Sequence, residues 1–190
     1  MHNRYARFEQ YAHLAYLSDL IEEFSLSTAF GREYIVKPDI IIARSLALED
    51  ENNSTGLILE PITSLAGLIT SIRESNRPTD QELLHASISC KWTIRSDRSQ
   101  NSRTEALNLI RHRRGHLPHI VAVTAEPLPS RIAALALGTG DLDCVYHFAL
   151  SELREVVQEI NNEDQLEILE DMINGKRLRD ISDLPFDLAA

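Results

Sequence analysis

The sequence predicts an α/β domain: a central mixed β-sheet flanked by helices. Three observations predict it. The 190 residues, 43% hydrophobic and 25% charged, suffice for one ordinary core without low-complexity tracts. Nearly continuous β-branched runs, such as Ile40-Ile-Ile-Ala43 and the stretch Pro118 to Thr124, read as strands buried on both faces. Segments with helical spacing alternate with these runs, the order expected when helices connect the strands of one sheet.

Taken in order, Phe8, Tyr11, Ala12, Ala15, Tyr16, Ile21 and Phe24 form the apolar stripe of a surface helix over residues 5–24. Tyr34 to Ala43 follows as a buried stretch in which Pro38 fixes a turn or edge and Asp39 stands at the mouth of a strand. Polar loops at 49–57 and 74–82 bracket a short helix around 62–72. Leu83 to Ile94 is the second strand. Ser102 and Glu105 have the spacing of a capping box and predict a helix start there, with Ala106, Leu107, Leu109 and Ile110 as its apolar side. Pro118 to Thr124 is the third strand, Pro129 to Leu137 a helix closed by Gly138, and Cys144 to Phe148 the fourth strand. Helices over Ser151 to Ile160 and Glu163 to Ile173 complete the chain. There is no internal repeat and no linker, so residues 1–190 read as a single domain.

Composition narrows the function. No apolar run approaches the roughly 18–20 residues of a membrane span, and the first residues lack the apolar stretch of a secretory signal. No membrane partner is expected. Cys90 and Cys144 each lie in an apolar, strand-like setting, which predicts buried free thiols and a cytoplasmic location. The net charge of -10 argues against indiscriminate nucleic-acid binding. From Lys91 to His116, however, seven cations face only two acids, a local charge of +5 that points to an anionic partner at one place.

Two constellations carry chemistry. Asp39 at the end of one strand and Lys91 on another are what metal-assisted phosphodiester hydrolysis needs: the carboxylate holds a divalent cation and the ammonium polarises the attacking water or the phosphate. Strand alternation puts Ser89 on the Lys91 face and turns Cys90 away, leaving only the Cys90 carbonyl for a metal. Taken alone, a Pro-Asp and a distant lysine occur by chance in most proteins, and a structural turn and a surface lysine are the favoured reading. Arg95-Ser-Asp97-Arg98 has the donors for guanine O6 and N7 and an acceptor for cytosine N4, the pattern of adjacent G·C pairs in the major groove, although an exposed ion pair has the same composition. Glu105 reads as a helix cap or as a second metal carboxylate, the acid missing at Ser89. His112, His116 and His119 are set aside as a metal cluster, because Gly115 and Pro118 break the helix that would align them.

The stretch His85-Ala-Ser-Ile-Ser-Cys-Lys-Trp-Thr-Ile-Arg-Ser-Asp-Arg98, with Leu117 to Val121, Val123-Thr-Ala-Glu-Pro127, Leu137 to Asp141 and Asp143 to Phe148, resembles the NgoMIV family of type II restriction endonucleases. Gln10 to Leu14, Pro38 to Ile41, Asn174 to Leu178 and Asp180 to Pro185 match in the same order, so the resemblance covers nearly the whole chain. It implies a restriction-endonuclease-like core of the PD-(D/E)xK superfamily, Mg2+ as cofactor, double-stranded DNA containing GCCGGC as substrate, and a homotetramer or dimer. By position it implies Asp39, Glu105 and the Cys90 carbonyl as metal ligands, Lys91 as the catalytic lysine, Ser89 in the place of an acid, and Arg95, Asp97 and Arg98 as readers of the central CCGG. Members of that family also carry a substantial N-terminal portion with a further active-site Glu and a minor-groove contact to the outer base pairs. The present chain is expected to start after it, which makes a catalytically incomplete DNA-binding fragment the alternative to an active nuclease.

Overall fold

The computed structural model describes Tyr5 and residues 7–15, 38–46, 54, 81–138 and 140–189. It shows a five-stranded sheet in the order β1-β2-β3-β4-β5. The strands are β1 (Ile40–Ser45), β2 (Glu82–Lys91), β3 (His119–Thr124), β4 (Cys144–His147) and β5 (Leu178–Asp180). β1 is antiparallel to β2, and β2 through β5 are parallel. The connections are α1 (Ser96–His112), α2 (Pro129–Ala136), and α3 (Leu150–Glu159) with α4 (Glu163–Asn174); α5 (Leu184–Asp187) follows β5. Parallel strands laid down in consecutive order by crossovers of one hand place every crossover helix on the same face of the sheet. Accordingly Ala106 and Leu109 of α1, Ile132 of α2, Leu153 of α3 and Leu169 of α4 share one core with Leu84, Ile120, Ala122 and Val145. The opposite face carries a smaller cluster of Ile88, Val121, Cys144 and Tyr146, covered by Ile181, Leu184 and Leu188 from the C-terminal segment.

The phase of β2 is set by an irregularity. Its ladder with β1 steps from Ile42↔Ala86 to Ala43↔Leu84, so His85 has no partner there. Such an extra residue reverses the inside-outside alternation. Leu84 therefore lies with the helix-side core, yet beyond the bulge it is Ser87 and Ser89, paired with Ile120 and Ala122, that face the helices. Ile88 faces the other way, beside Val121. Before β3 begins, the other edge of β2 is taken up by the N-terminal segment: Phe8 bridges Glu82 in parallel. The Gln10 side chain donates to the Leu84 carbonyl at 2.9 Å and accepts from the Leu84 N–H at 3.0 Å. A buried amide thus completes the ladder that the start of β2 would otherwise leave unpaired.

Several expectations change. The start of the first predicted helix is described only to Ala15, as a short 3-10 turn (Glu9–Tyr11) and a further turn of helix; its remainder, the residues before Pro38 and the predicted helix at 62–72 lie outside the described residues. β1 is not buried on both faces: Ile40 is 49% exposed, and among the described residues β2 is its one neighbour in the sheet. Glu82 opens β2 instead of belonging to a loop. α1 begins at Ser96, six residues before the predicted capping box, and Ser102 lies buried in its interior. Cys90 is exposed, since it sits at the open end of β2, while Cys144 is buried as predicted. β5 and α5 have no counterpart in the pattern of the sequence, being three and four residues long.

The Gln10 pairing gives the first prediction. Gln10→Met keeps the shape but strands the Leu84 N–H and carbonyl, so the stability measured by urea unfolding should fall by roughly 2–3 kcal/mol. A loss below about 0.5 kcal/mol would show that the N-terminal segment is not integral to the sheet.

Candidate active site

The antiparallel register continues from Ile40↔Ile88 to place Asp39 across from Ser89, on the helix side of the sheet. Asp39 Oδ2 accepts the Cys90 backbone N–H at 2.7 Å and Lys91 Nζ at 2.9 Å. One oxygen thus ties the start of β1 to the end of β2. The two side chains remain open to solvent, Lys91 at 23% and Asp39 at 44% exposure, so the pair is accessible and its attraction is screened. Burial alone would push the Asp39 carboxyl up, but the hydrogen bonds from Lys91 and the Cys90 N–H and the Lys91 charge outweigh it, holding Asp39 below the usual carboxylate value.

Above this pair lies α1. Ser102 is buried, and its Oγ is 3.1 Å from Ser89 Oγ, so the helix is keyed onto β2 at the position beside Lys91. Glu105 lies three residues further along α1 and so on the same helix face as Ser102. It is within electrostatic reach of both Lys91 and Asp39: burial first, and then the Asp39 charge, raise its pKa above the ordinary value, with Lys91 acting in the opposite direction. The structure therefore brings Asp39, Ser89, Cys90, Lys91 and Glu105 to one end of the sheet. The Cys90 side chain points to the other face, as alternation predicts. Its thiol is pushed up by burial and by the Asp39 charge.

Arg95 is exposed and caps the start of α1 with extended backbone, and Asp97 and Arg98 occupy the first turn of that helix. The candidate reading segment thus begins at the same strand end as Lys91. Other cations of the basic island have structural partners: Arg103 donates to the Ala134 carbonyl near the end of α2, and Arg113 to the Ile110 carbonyl near the end of α1. The positive charge left for a polyanion is narrower than the bare count of seven suggests.

Among the described residues no three His, Cys, Asp or Glu side chains converge as a metal cage. The donor set nevertheless fits a hard divalent cation. The Asp39 charge adds to the cost of ionising Glu105, a cation between the two carboxylates would relieve it, and Mg2+ ordinarily takes only one or two carboxylates, completing its shell with water and phosphate oxygen. Sequence reasoning misses the inward-facing role of Ser102, whose spacing to Glu105 matches a cap, and it passes over Glu126. Glu126 is an acid inside the apolar run from Ile120 to Leu128, and that is the available signal.

A family model described as NgoMIV restriction enzyme matches residues 1–190. The type II restriction enzyme NgoMIV of Neisseria gonorrhoeae is 56% identical over 186 residues, covering 97% of this chain and 63% of that enzyme. The chain thus spans a little under two thirds of the length of this curated relative. The mixed sheet, its one-sided crossover helices and the match along its whole length make the chain a member of the NgoMIV restriction enzyme family.

Proposed function

We propose that the chain is the catalytic and DNA-reading part of a type II site-specific deoxyribonuclease that hydrolyses phosphodiester bonds in double-stranded DNA at GCCGGC with Mg2+. The observation that carries this reading is the Asp39 oxygen shared by Lys91 and the Cys90 N–H, with Glu105 poised over it. Asp39, Glu105 and the Cys90 carbonyl would hold Mg2+, which supplies Lewis acidity to the scissile phosphate and lowers the pKa of a bound water. In a strand the N–H and C=O of one residue face the same neighbour, so the Cys90 carbonyl is directed to the Asp39 edge by the same geometry as its N–H. Asp39 orients the Lys91 ammonium, and Lys91 is placed to hold a phosphate oxygen or the attacking water by charge-assisted hydrogen bonds. Ser89 contributes through Ser102, keeping α1 and Glu105 in place.

Arg95, Asp97 and Arg98 enter the major groove at CCGG on this reading, the arginines gripping guanine and the aspartate cytosine. GCCGGC reads the same on both strands, so a two-fold pair of chains, alone or within a tetramer, presents one active site to each strand. A cytoplasmic setting agrees with two free cysteines. The 63% coverage of the relative favours one second reading, a DNA-binding unit whose catalytic set is completed by further residues.

Matched plasmids with an intact or a destroyed GCCGGC site separate these readings. Cutting confined to Mg2+ and the intact site supports the nuclease; site-specific binding in Ca2+ without cutting in Mg2+ supports the second reading; indifference to the site sinks both. Lys91→Ala should lower cleavage by roughly a hundredfold or more while leaving binding in Ca2+ in place. Arg98→Ala should cost about 1–3 kcal/mol of discrimination at one G·C position, read from binding to singly substituted sites. Ser102→Ala should raise the Mg2+ concentration needed for half-maximal cutting several-fold, with Ser102→Thr restoring it; an unchanged Mg2+ requirement would remove the keying role from the Ser89 contact.

A further inference from the structure

Glu126 belongs to none of the groups above, yet it is fully buried. A carboxylate in that position is costly unless its oxygens are satisfied, and here they are divided between two loops. Oε2 accepts the Ile94 N–H at 2.7 Å and Oε1 accepts the Leu128 N–H at 3.2 Å, with Arg131 Nη1 at 3.7 Å from Oε1. Ile94 is itself buried, and the next residue, Arg95, is the cap from which α1 starts. The carboxylate therefore grips the chain at the residue before the segment Arg95–Arg98.

The backbone of Glu126 is held in turn by the sheet. Its N–H donates to Thr124 Oγ1 at 3.1 Å, at the end of β3. Its carbonyl is 3.1 Å from His147 Nε2 at the end of β4, and His147 Nδ1 accepts the Ala149 N–H at 3.1 Å. An Nδ1 that accepts leaves Nε2 as the protonated nitrogen, so Nε2–H donates to the Glu126 carbonyl. The ends of β3 and β4 thus define where the carboxylate stands, and the carboxylate defines where α1 begins. Lys91 lies upstream of this joint, within the β2 to β3 ladder at Lys91↔Thr124, and does not depend on it.

We propose that Glu126 is a positioning residue for sequence readout: it fixes the junction between β2 and α1, and with it the backbone from which the proposed reading segment Arg95–Arg98 starts. The inference rests on the proposed function only in taking that segment as the reader. Groups that must reach base edges need a rigid support, because a bidentate contact is lost with a small displacement of its backbone.

Glu126→Gln is the informative variant. Glutamine keeps the volume but has one acceptor oxygen, and its amide nitrogen would confront the second backbone N–H. Two readouts are taken on the full chain. Hydrogen exchange of the amides of residues 94–99 should accelerate about tenfold, while the amides of residues 106–110, later in α1, stay within about twofold. In Ca2+, the ratio of affinity for GCCGGC DNA to that for the same duplex with one central base pair exchanged should fall about tenfold, with affinity for the altered duplex nearly unchanged. Should Glu126→Gln not fold, Arg131→Met, which removes the exposed cation beside the same buried carboxylate, should give the same pattern at about two- to threefold. Unchanged protection at 94–99, or an unchanged ratio, overturns the inference. So does an equal loss of affinity for both duplexes together with faster exchange throughout, which is plain destabilisation. A parent chain that binds both duplexes alike removes the DNA-reading assignment first and this inference with it, whereas a discriminating parent and an indifferent Glu126→Gln remove this inference alone.

Discussion

The site depends on the phase of β2. A strand offers alternate residues to opposite faces, so Ser89 and Lys91 can lie beneath α1 only if the pleat is counted from the right place. The unpaired His85 in the ladder with β1 resets that count after Leu84 has already been placed in the helix-side core. Without the extra residue, either Leu84 would leave the core or Ser89 and Lys91 would turn to the face that carries Ile88 and Tyr146. The same register puts Asp39 across from Ser89, where one carboxylate oxygen reaches both the Cys90 N–H and the Lys91 ammonium. The ion pair is exposed and contributes little to stability by itself; its effect is to hold two strand ends in one geometry.

The charge distribution follows from the same layout. The chain as a whole is acidic, and seven of its 19 Lys and Arg lie between Lys91 and His116, in the strand end, the crossover helix and the loop that follows. Lys91 is engaged by Asp39, while Arg103 and Arg113 satisfy carbonyls at helix ends, positions where a cation is favoured by the helix dipole. Arg95 stays exposed beside the site. A local excess of positive charge in an otherwise acidic chain favours an orienting encounter with a polyanion over indiscriminate adhesion.

The elements legible in the sequence are those whose pattern is local. β3, β4, α2, α3 and α4 announce themselves by continuous apolar runs or helical spacing bounded by Pro and Gly, and they lie within a few residues of where that pattern places them. β1 departs from expectation because an apolar run does not say whether both edges of a strand are paired. The start of α1 departs because Arg95 to Arg103 has no apolar face; that stretch is helical through its attachment at Ile94 and Ser102, both of which are tertiary. The bulge at His85 leaves no mark in composition at all. For the candidate site, residue types and alternation suggest grouping Asp39, Ser89 and Lys91, but a structural turn and a surface lysine have the same composition, and it is the family resemblance that singles the grouping out. Glu105 could be read from the sequence as a helix cap or as a second acid, and its distance in sequence from Lys91 does not decide between them.

Ser89 and Glu105 belong to two elements that meet at the same strand end. A strand residue beside Lys91 and a helix residue above it reach the same space from two directions, provided the helix is held close. Buried serine hydroxyls suit such close packing, because each is small enough to let the backbones approach and each can donate to or accept from the other. An acid at position 89 would instead be buried against Ser102, its charge opposed by desolvation. On α1 the carboxylate of Glu105 keeps partial contact with water, and its elevated pKa shows that it still feels both burial and the negative charge of Asp39. Two anions on separate elements, rather than side by side on one strand, repel each other less, which lets both ionise at lower cost.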